Sequence, residues 1–207
     1  IEQQMILAPL SLSIKQGEKI AIIGESGAGK TTLASLLLRL WEPDAGTISY
    51  DGVPHTKLSP DASRAYFGAA LQGSWLFSAS IRDNFLRLRG DISEAAIWHA
   101  LETAQLADVV RALPAGLDEP LGMNASRLSG GQRSRLLTAL ALAGDAPILL
   151  LDEPTTMLDI SLRAQIMDLL LRLRAARGLG MLLISHEREL LRDFADEIHV
   201  LEAGGVR

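Results

Sequence analysis

The most informative stretch of the chain is GESGAGKTT, residues 24–32. It matches the pattern G-x-x-x-x-G-K-[ST], follows the apolar run KIAIIG (19–24) and overlaps the leucine-rich TTLASLLLRL (31–40). An apolar run that ends in glycine is typical of a buried strand, and leucines three and four residues apart predict a helix. A glycine-rich loop between a strand and a helix points successive N–H groups at phosphate oxygens. The stretch therefore predicts nucleoside triphosphate binding.

Each part of this phosphate loop has a separate expected role. Lys30 would bring a positive charge to the β- and γ-phosphates, and the Thr31 hydroxyl would be a ligand of Mg²⁺. A turn that merely joins the strand to the helix is the alternative, which the matching flanks and spacing disfavour. The predicted nucleotide-binding residues of the loop are Gly24, Glu25, Ser26, Gly27, Ala28, Gly29, Lys30, Thr31 and Thr32.

A second apolar run, ILLLDE at 148–153, ends in two adjacent acids. Ligands of open α/β sheets bind at the carboxyl ends of the strands, where successive side chains point in different directions. Asp152 is therefore the predicted magnesium ligand, and Glu153 is the predicted general base for the attacking water. Two solvated acids at a strand end are the alternative, but the phosphate loop favours the catalytic interpretation.

Two further polar residues lie at the carboxyl ends of predicted strands. His186 follows the apolar MLLIS (181–185), so it would lie at the same sheet edge and could hydrogen-bond the γ-phosphate or the water. Gln72 ends the predicted strand 65–72, and its neutral amide near Mg²⁺ could sense the γ-phosphate. A histidine that caps a loop and a glutamine without function are the alternatives. The predicted catalytic residues are Lys30, Gln72, Glu153 and His186, and the predicted metal ligands are Thr31, Gln72 and Asp152.

Apolar strands alternate with helical patterns along the chain, which indicates an α/β domain with a largely parallel sheet. The alternating residues 10–15 predict one further strand, and residues 79–143 have mostly helical patterns. We therefore predict a core with a β part at 1–72 and 145–207. A helical subdomain is expected at 73–144.

RLSGGQRSR, at 127–135, looks like a second helix start that offers backbone N–H groups to an anion. The chain has one phosphate loop and would hold one nucleotide. A second anion-binding helix start makes sense only if a second phosphate arrives there. This stretch therefore predicts that the domain does not work alone.

The order of these motifs resembles that of an ATP-binding cassette (ABC) nucleotide-binding domain over essentially the whole chain. LSGGQ (128–132) followed closely by an Asp-Glu strand is specific to that superfamily. WLFSASIRDN (75–84) is similar to exporter-type cassettes, and 36–42 together with 75–84 also bears a lesser likeness to the thiol exporters of cytochrome bd assembly. The motifs that carry the resemblance are, in chain order, GESGAGKTT, Gln72, LSGGQ, ILLLDE, Asp159 and His186.

The resemblance implies a P-loop NTPase (RecA-like) core with a mostly parallel sheet, a small N-terminal antiparallel β part and an inserted α-helical subdomain. It implies ATP and Mg²⁺ as ligands. It also implies a head-to-tail dimer in which the signature stretch of one cassette, LSGGQ (128–132), caps the ATP on the other. Asp159 would cross that interface, and Gln72 and the helical insertion would dock on transmembrane domains. The residues implied to contact nucleotide across the dimer are Ser129, Gly130, Gly131, Gln132 and Asp159.

The function that follows from the resemblance is an ATP-hydrolysing motor domain of an exporter, expected at the cytoplasmic face of a bacterial inner membrane. Its expected partners are a second cassette, identical or different, and transmembrane domains fused before Ile1. A non-transport ABC ATPase that acts on nucleic acid or a ribosome is one alternative. A regulatory cassette without turnover is another, which intact Lys30, Glu153 and His186 oppose.

Composition restricts the classes of function. The 207 residues include 25 acidic and 20 basic ones, which argues against nucleic acid as a partner because such proteins carry a basic face. The lack of cysteine excludes disulfides and thiolate metal sites. No apolar run approaches the roughly 18 residues of a membrane-spanning helix, so we expect this domain not to cross a bilayer.

Three positions depart from the family pattern. Met123 replaces the usual Glu of the element before the signature, and TTMLD (155–159) replaces the commoner ending Ser-Ala-Leu-Asp but keeps the Asp. The aromatic residue that stacks on adenine in the family would fall before Ile1, so we expect this segment by itself to bind ATP weakly. None of these departures removes a catalytic group.

Overall fold

The computed structural model describes residues 7, 10–71, 73–156, 158–202 and 205–206. Its strands are β1 (Lys19–Gly24), β2 (Ser49–Tyr50), β3 (Val53–Pro54), β4 (Phe67–Ala70), β5 (Ile148–Asp152), β6 (Gly180–Ser185), β7 (Glu197–Glu202) and β8 (Gly205–Val206). The main sheet has the order β4-β5-β6-β1-β7-β8. Its first five strands are parallel, and β8 is antiparallel to β7. The strands β2 and β3 form a separate antiparallel pair.

The helices are α1 (Lys30–Leu37), α2 (Pro60–Arg64), α3 (Ile81–Leu88), α4 (Glu94–Thr103), α5 (Ala107–Arg111), α6 (Gly130–Leu142), α7 (Ile160–Arg177) and α8 (Arg188–Arg192). Short 3₁₀ turns occur at His55–Lys57, Gly116–Asp118 and Met123–Ala125. Among the described residues, no helix combines the length and the apolar character that crossing a membrane requires.

The central strands are apolar on both faces because packed residues cover both faces of the sheet. Ile20 and Ile22 of β1 belong to one buried cluster, which also contains Leu33 of α1. Ala21 and Ile23, which point the other way, belong to a second cluster with residues of α7. The continuous apolar run KIAIIG is thus the sequence of a strand buried on two sides.

Helix α6 joins the sheet to the helical region. Its Leu136 and Ala139 are part of a third buried cluster formed with α3, α4 and α5, whereas Ala141 and Leu142 pack into a cluster of the sheet. A Cβ atom on Gly68 of β4 would lie 2.0 Å from the carbonyl oxygen of Ala141, so α6 and β4 approach closely. The C-terminal part of α6 is therefore packed directly against the sheet.

The structure confirms the predicted α/β class, with a mostly parallel sheet and a small antiparallel β part. It also confirms that 79–143 is mainly helical. The strand predicted at 10–15 is wrong, since the described residues of this range form no strand. Leu12 and Ile14 instead pack their side chains against a sheet cluster, which accounts for the alternating pattern. The division into a core and a subdomain stays a prediction.

Candidate functional site

The carboxyl ends of three neighbouring strands bring most predicted site residues to one edge of the sheet. The register pairs Ile23 with Ser185 and Asp152 with Ile184, so β1, β6 and β5 end at similar levels. The phosphate loop, the two acids and the predicted catalytic histidine therefore leave the sheet side by side. Gln72, predicted as a catalytic residue and metal ligand, lies outside the described residues.

The phosphate loop exposes backbone rather than side chains. Gly27 and Gly29 have φ of 85° and 95°, in the left-handed region that favours glycine. Gly29 begins α1 without any side-chain cap, so the first N–H groups of α1 lack the usual side-chain acceptor. A Cβ on Gly24 would lie 2.5 Å from the carbonyl oxygen of Leu201, so only glycine fits where the loop leaves β1.

The Lys30 ammonium lies across the start of the loop. Its Nζ donates to the carbonyl oxygens of Gly24, at 2.7 Å, and Glu25, at 2.9 Å. These bonds use two of the three N–H donors of an ammonium group. The loop thus combines backbone donors with a fixed positive charge, which is an arrangement suited to a polyphosphate.

Two of the three predicted metal ligands lie among the described residues, and both offer oxygen atoms. Asp152, the last residue of β5, is buried, and Thr31 lies in the first turn of α1. A hydroxyl and a carboxylate are hard ligands that suit Mg²⁺. The described residues contain no group of three or more His, Cys, Asp or Glu that could hold a metal ion. Mg²⁺ sites at phosphates commonly combine one or two protein oxygens with water and substrate phosphates.

Glu153 leaves β5 in an unusual conformation. Its φ is 56°, and its backbone N donates to the carbonyl oxygen of Ile184 at 2.8 Å. Its side chain is only 6% exposed, and Oε1 accepts hydrogen bonds from the backbone N of His186 at 3.1 Å and from Nδ1 at 2.7 Å. A left-handed φ on a residue with a Cβ costs roughly 1–3 kcal/mol and is found preferentially at active sites.

His186 faces both Glu153 and solvent, since its side chain is 60% exposed. Because Nδ1 lies against a carboxylate oxygen, that nitrogen carries the proton of the neutral ring. Nε2 is then the acceptor nitrogen, and it gains a proton only when the ring is charged. The structure thus brings His186 to Glu153, as the shared sheet edge predicted.

The signature stretch forms a self-capped helix start. Ser129 Oγ accepts a hydrogen bond from the Gln132 N at 3.2 Å, and Gln132 Oε1 accepts one from the Ser129 N at 2.9 Å. This reciprocal pair is a capping box. Ser129 is exposed, and Gly131 is buried against Leu162 of α7. Ser134 Oγ donates to the Pro154 carbonyl oxygen at 2.8 Å, so α6 also contacts the loop that follows β5.

Asp159 caps another helix. Its Oδ1 accepts a hydrogen bond from the Leu162 N at 2.9 Å at the start of α7. Asp159 and the adjacent Ile160 are both exposed. The helices α6 and α7 therefore begin close together, because Leu162 also contacts Gly131.

A comparison with protein-family models matches residues 7–156 to the ABC transporter family. The chain belongs to the ABC transporter family. The lipid A-core flippase of Neisseria meningitidis serogroup B is 39% identical to it over 196 residues, which are 95% of this chain and 31% of the flippase. The Burkholderia orbicola lipid A-core flippase is 43% identical over 197 residues, 95% of this chain and 32% of that protein.

A solved structure of a bacterial Atm1-family ABC exporter with ATP bound resembles the fold of this ABC cassette. The TM-score is 0.87 at 34% identity, with 99% of this chain and 35% of the exporter covered. The cassette thus spans about a third of the length of the relatives that it matches. These findings confirm the predicted P-loop NTPase fold and the predicted exporter-type nucleotide-binding domain. The lesser likeness to thiol exporters stays a prediction.

Sequence reasoning missed part of this cassette's site. Thr156 Oγ1 donates to Glu153 Oε2 at 2.8 Å, and Ser185 Oγ lies 3.4 Å from the same oxygen. Hydroxyl residues beside a strand end are too common to be singled out by pattern. The sequence signal for this loop is TTMLD (155–159), which departs from the commoner Ser-Ala-Leu-Asp.

Proposed function

We propose that this cassette is the ATP-hydrolysing motor domain of an ABC exporter. The observation that carries the proposal is the convergence of the phosphate loop, Asp152 and the Glu153–His186 pair at one edge of the sheet. A phosphate cradle, an oxygen ligand for magnesium and a positioned base are the parts that phosphoryl transfer to water requires. The ABC transporter family match supports ATP as the nucleotide.

In this proposal Glu153 takes a proton from the attacking water. The water oxygen forms a bond to the γ-phosphorus while the bond from phosphorus to the β–γ bridging oxygen breaks, which gives ADP and phosphate. Lys30 stabilises charge on the β- and γ-phosphates. Thr31 and Asp152 would hold Mg²⁺, which neutralises charge on the same phosphates when bound. His186, through Nδ1, orients Glu153 and stays near the γ-phosphate.

A second cassette completes the site in this proposal. The exposed Ser129 and the neighbouring Gly130, Gly131 and Gln132 would contact ATP held on the phosphate loop of the partner, and Asp159 would lie in the same interface. The start of α6 supports this assignment because the exposed Ser129 caps a helix N-terminus, which is an end of the helix that attracts anions. The nearby start of α7 places Asp159 on the same side of the domain.

We further propose that nucleotide-driven dimerisation is coupled to transmembrane domains, at the cytoplasmic face of a bacterial inner membrane. The relatives named above are a flippase of lipid A-core and an ABC exporter, and each is about three times as long as this chain. Exposed Trp75, Phe77 and Met123 lie in the helical region and offer apolar contacts to such a partner. Gln72 would contact the same partner and stays a prediction.

Replacing Glu153 by Gln tests the proposal. The amide keeps the shape of the side chain but cannot accept the proton, so we expect turnover to fall by about 10²–10⁴-fold with ATP binding retained. Steady-state ATPase rates and equilibrium ATP binding measure the two effects. The matched control is Glu189→Gln, an exposed residue of α8, which should leave both unchanged. Wild-type turnover in Glu153→Gln would contradict the assignment of the base.

A further inference from the structure

Four donors converge on the carboxylate of Glu153. Oε1 accepts from the backbone N and from Nδ1 of His186, and Oε2 faces the hydroxyls of Thr156 and Ser185. The two oxygens are therefore held from different sides. A carboxylate can rotate about its last side-chain bond unless both oxygens have partners. The contacts of the Thr156 and Ser185 hydroxyls with Oε2 have no assigned role in the hydrolysis described above.

The contact from Thr156 is the stronger of the two hydroxyl contacts. Its donor–acceptor distance is 2.8 Å, well within the range of an O–H···O bond, whereas that of Ser185 is 3.4 Å. Ser185 Oγ also accepts a hydrogen bond from the Glu187 N at 3.1 Å, which ties it to the loop after β6. Thr156 is therefore the residue that fixes Oε2.

The backbone holds Thr156 in place for this contact. The Thr156 N donates to the Glu153 carbonyl oxygen at 3.2 Å, so a turn and a side-chain bond link the same two residues. The second branch on the Thr156 Cβ restricts χ1, which keeps the hydroxyl directed at one acceptor. Thr156 also lines a cavity of about 210 Å³ that Asp152 and Glu153 share.

We propose that Thr156 is a positioning residue for the general base Glu153, an inference that rests on the proposed hydrolytic function. Its hydroxyl fixes Oε2 and thereby leaves Oε1 on the side of His186. Because a base must lie within hydrogen-bond reach of its water, loss of this orientation slows the chemical step. Nucleotide affinity is set by the phosphate loop, so it stays unchanged.

The test compares variants of the full-length protein. Thr156→Val keeps the shape without the donor, and we expect kcat for ATP hydrolysis to fall about tenfold with KM unchanged. Thr156→Ser restores the donor and should stay within about twofold of wild type. The control is Thr103→Val, which removes a hydroxyl that donates to the His99 carbonyl oxygen on α4 and should leave kcat unchanged.

A double variant shows whether Thr156 acts through Glu153. In the Glu153→Gln background, Thr156→Val should cause no further loss of the residual rate. A second tenfold loss there, or a wild-type kcat for Thr156→Val alone, overturns the positioning role and leaves the proposed function intact. Wild-type turnover in Glu153→Gln overturns both.

Stability and binding measurements show whether a lower kcat arises from misfolding or from weaker ATP binding. We expect thermal unfolding and equilibrium ATP binding of Thr156→Val to match wild type. If Thr156→Val does not fold, Thr156→Ala removes the same donor and is expected to lose kcat equally. A fall in ATP affinity that accounts for the lost rate would overturn the positioning role, because that role predicts an effect on kcat only.

Discussion

The cassette contains two glycine-rich helix starts, at α1 and α6, which differ in whether side chains cap the first backbone N–H groups. At α1, Gly29 begins the helix with no side-chain cap, and the Lys30 ammonium bonds to two carbonyl oxygens of the loop. At α6, Ser129 and Gln132 cap each other's backbone N–H groups. The first start carries a fixed positive charge, and the second is neutral over Ser129–Gln132.

This difference explains why one start can hold a nucleotide within a single chain. The phosphate loop combines uncapped backbone N–H groups with the Lys30 ammonium, so it is suited to binding a highly charged anion directly. The signature has already satisfied part of its donors, so it is stable as a capped helix and offers a weaker anion site. A phosphate must be presented to it by another cassette, as we propose.

The largest expected effect concerns the signature. Ser129→Arg replaces a short exposed cap by a long side chain in front of the α6 start, so we expect ATP-dependent dimerisation to be lost while each monomer still binds ATP. Analytical ultracentrifugation with ATP, in the Glu153→Gln background, measures the dimer. Ala176→Arg, which adds the same charge to an exposed position of α7, should dimerise normally. A normal dimer in Ser129→Arg would show that the signature does not face a second cassette.

The next effect concerns the cation of the phosphate loop. Lys30→Ala should weaken ATP binding by about 10- to 100-fold, since a hydrogen bond to a charged group contributes roughly 1.5–3 kcal/mol. Titration calorimetry of the monomer provides the affinity. The control Arg133→Ala removes a cation of α6 that lies just beyond the neutral stretch Ser129–Gln132, and it should leave this affinity unchanged. Equal losses of ATP affinity in both variants would contradict the proposed difference between the α1 and α6 helix starts.

The smallest effect concerns backbone packing at the two starts. A Cβ on Gly24 would meet the Leu201 carbonyl oxygen at 2.5 Å, whereas a Cβ on Gly131 would meet the flexible Leu162 side chain at 3.0 Å. Gly24→Ala should therefore destabilise the fold by roughly 1–3 kcal/mol, and Gly131→Ala by less. Each 1 kcal/mol corresponds to about 2–4 °C in Tm at this size, so calorimetry can rank them. The reverse order would contradict the rigid approach of β1 to β7.

Much of the site could be predicted from sequence because its parts follow strands of one parallel sheet. The apolar runs before Gly24, Asp152 and His186 identify three strands, and parallel strands bring their carboxyl ends to one edge. The strand predicted at 10–15 was wrong because alternation reports which side chains are buried and not whether a neighbouring strand pairs with the backbone.

The phosphate loop, the acid pair at the end of a buried strand and the second glycine-rich helix start could all be identified from the sequence alone. Those features depend on residue type and local spacing, which a sequence states directly. Which groups hold Glu153 depends on the folded chain, because Thr156 approaches it from the loop after β5, whereas Ser185 and His186 approach it from the end of β6. Likewise, the self-capping of α6 and the ammonium bridge of Lys30 depend on side-chain directions that pattern and spacing leave open.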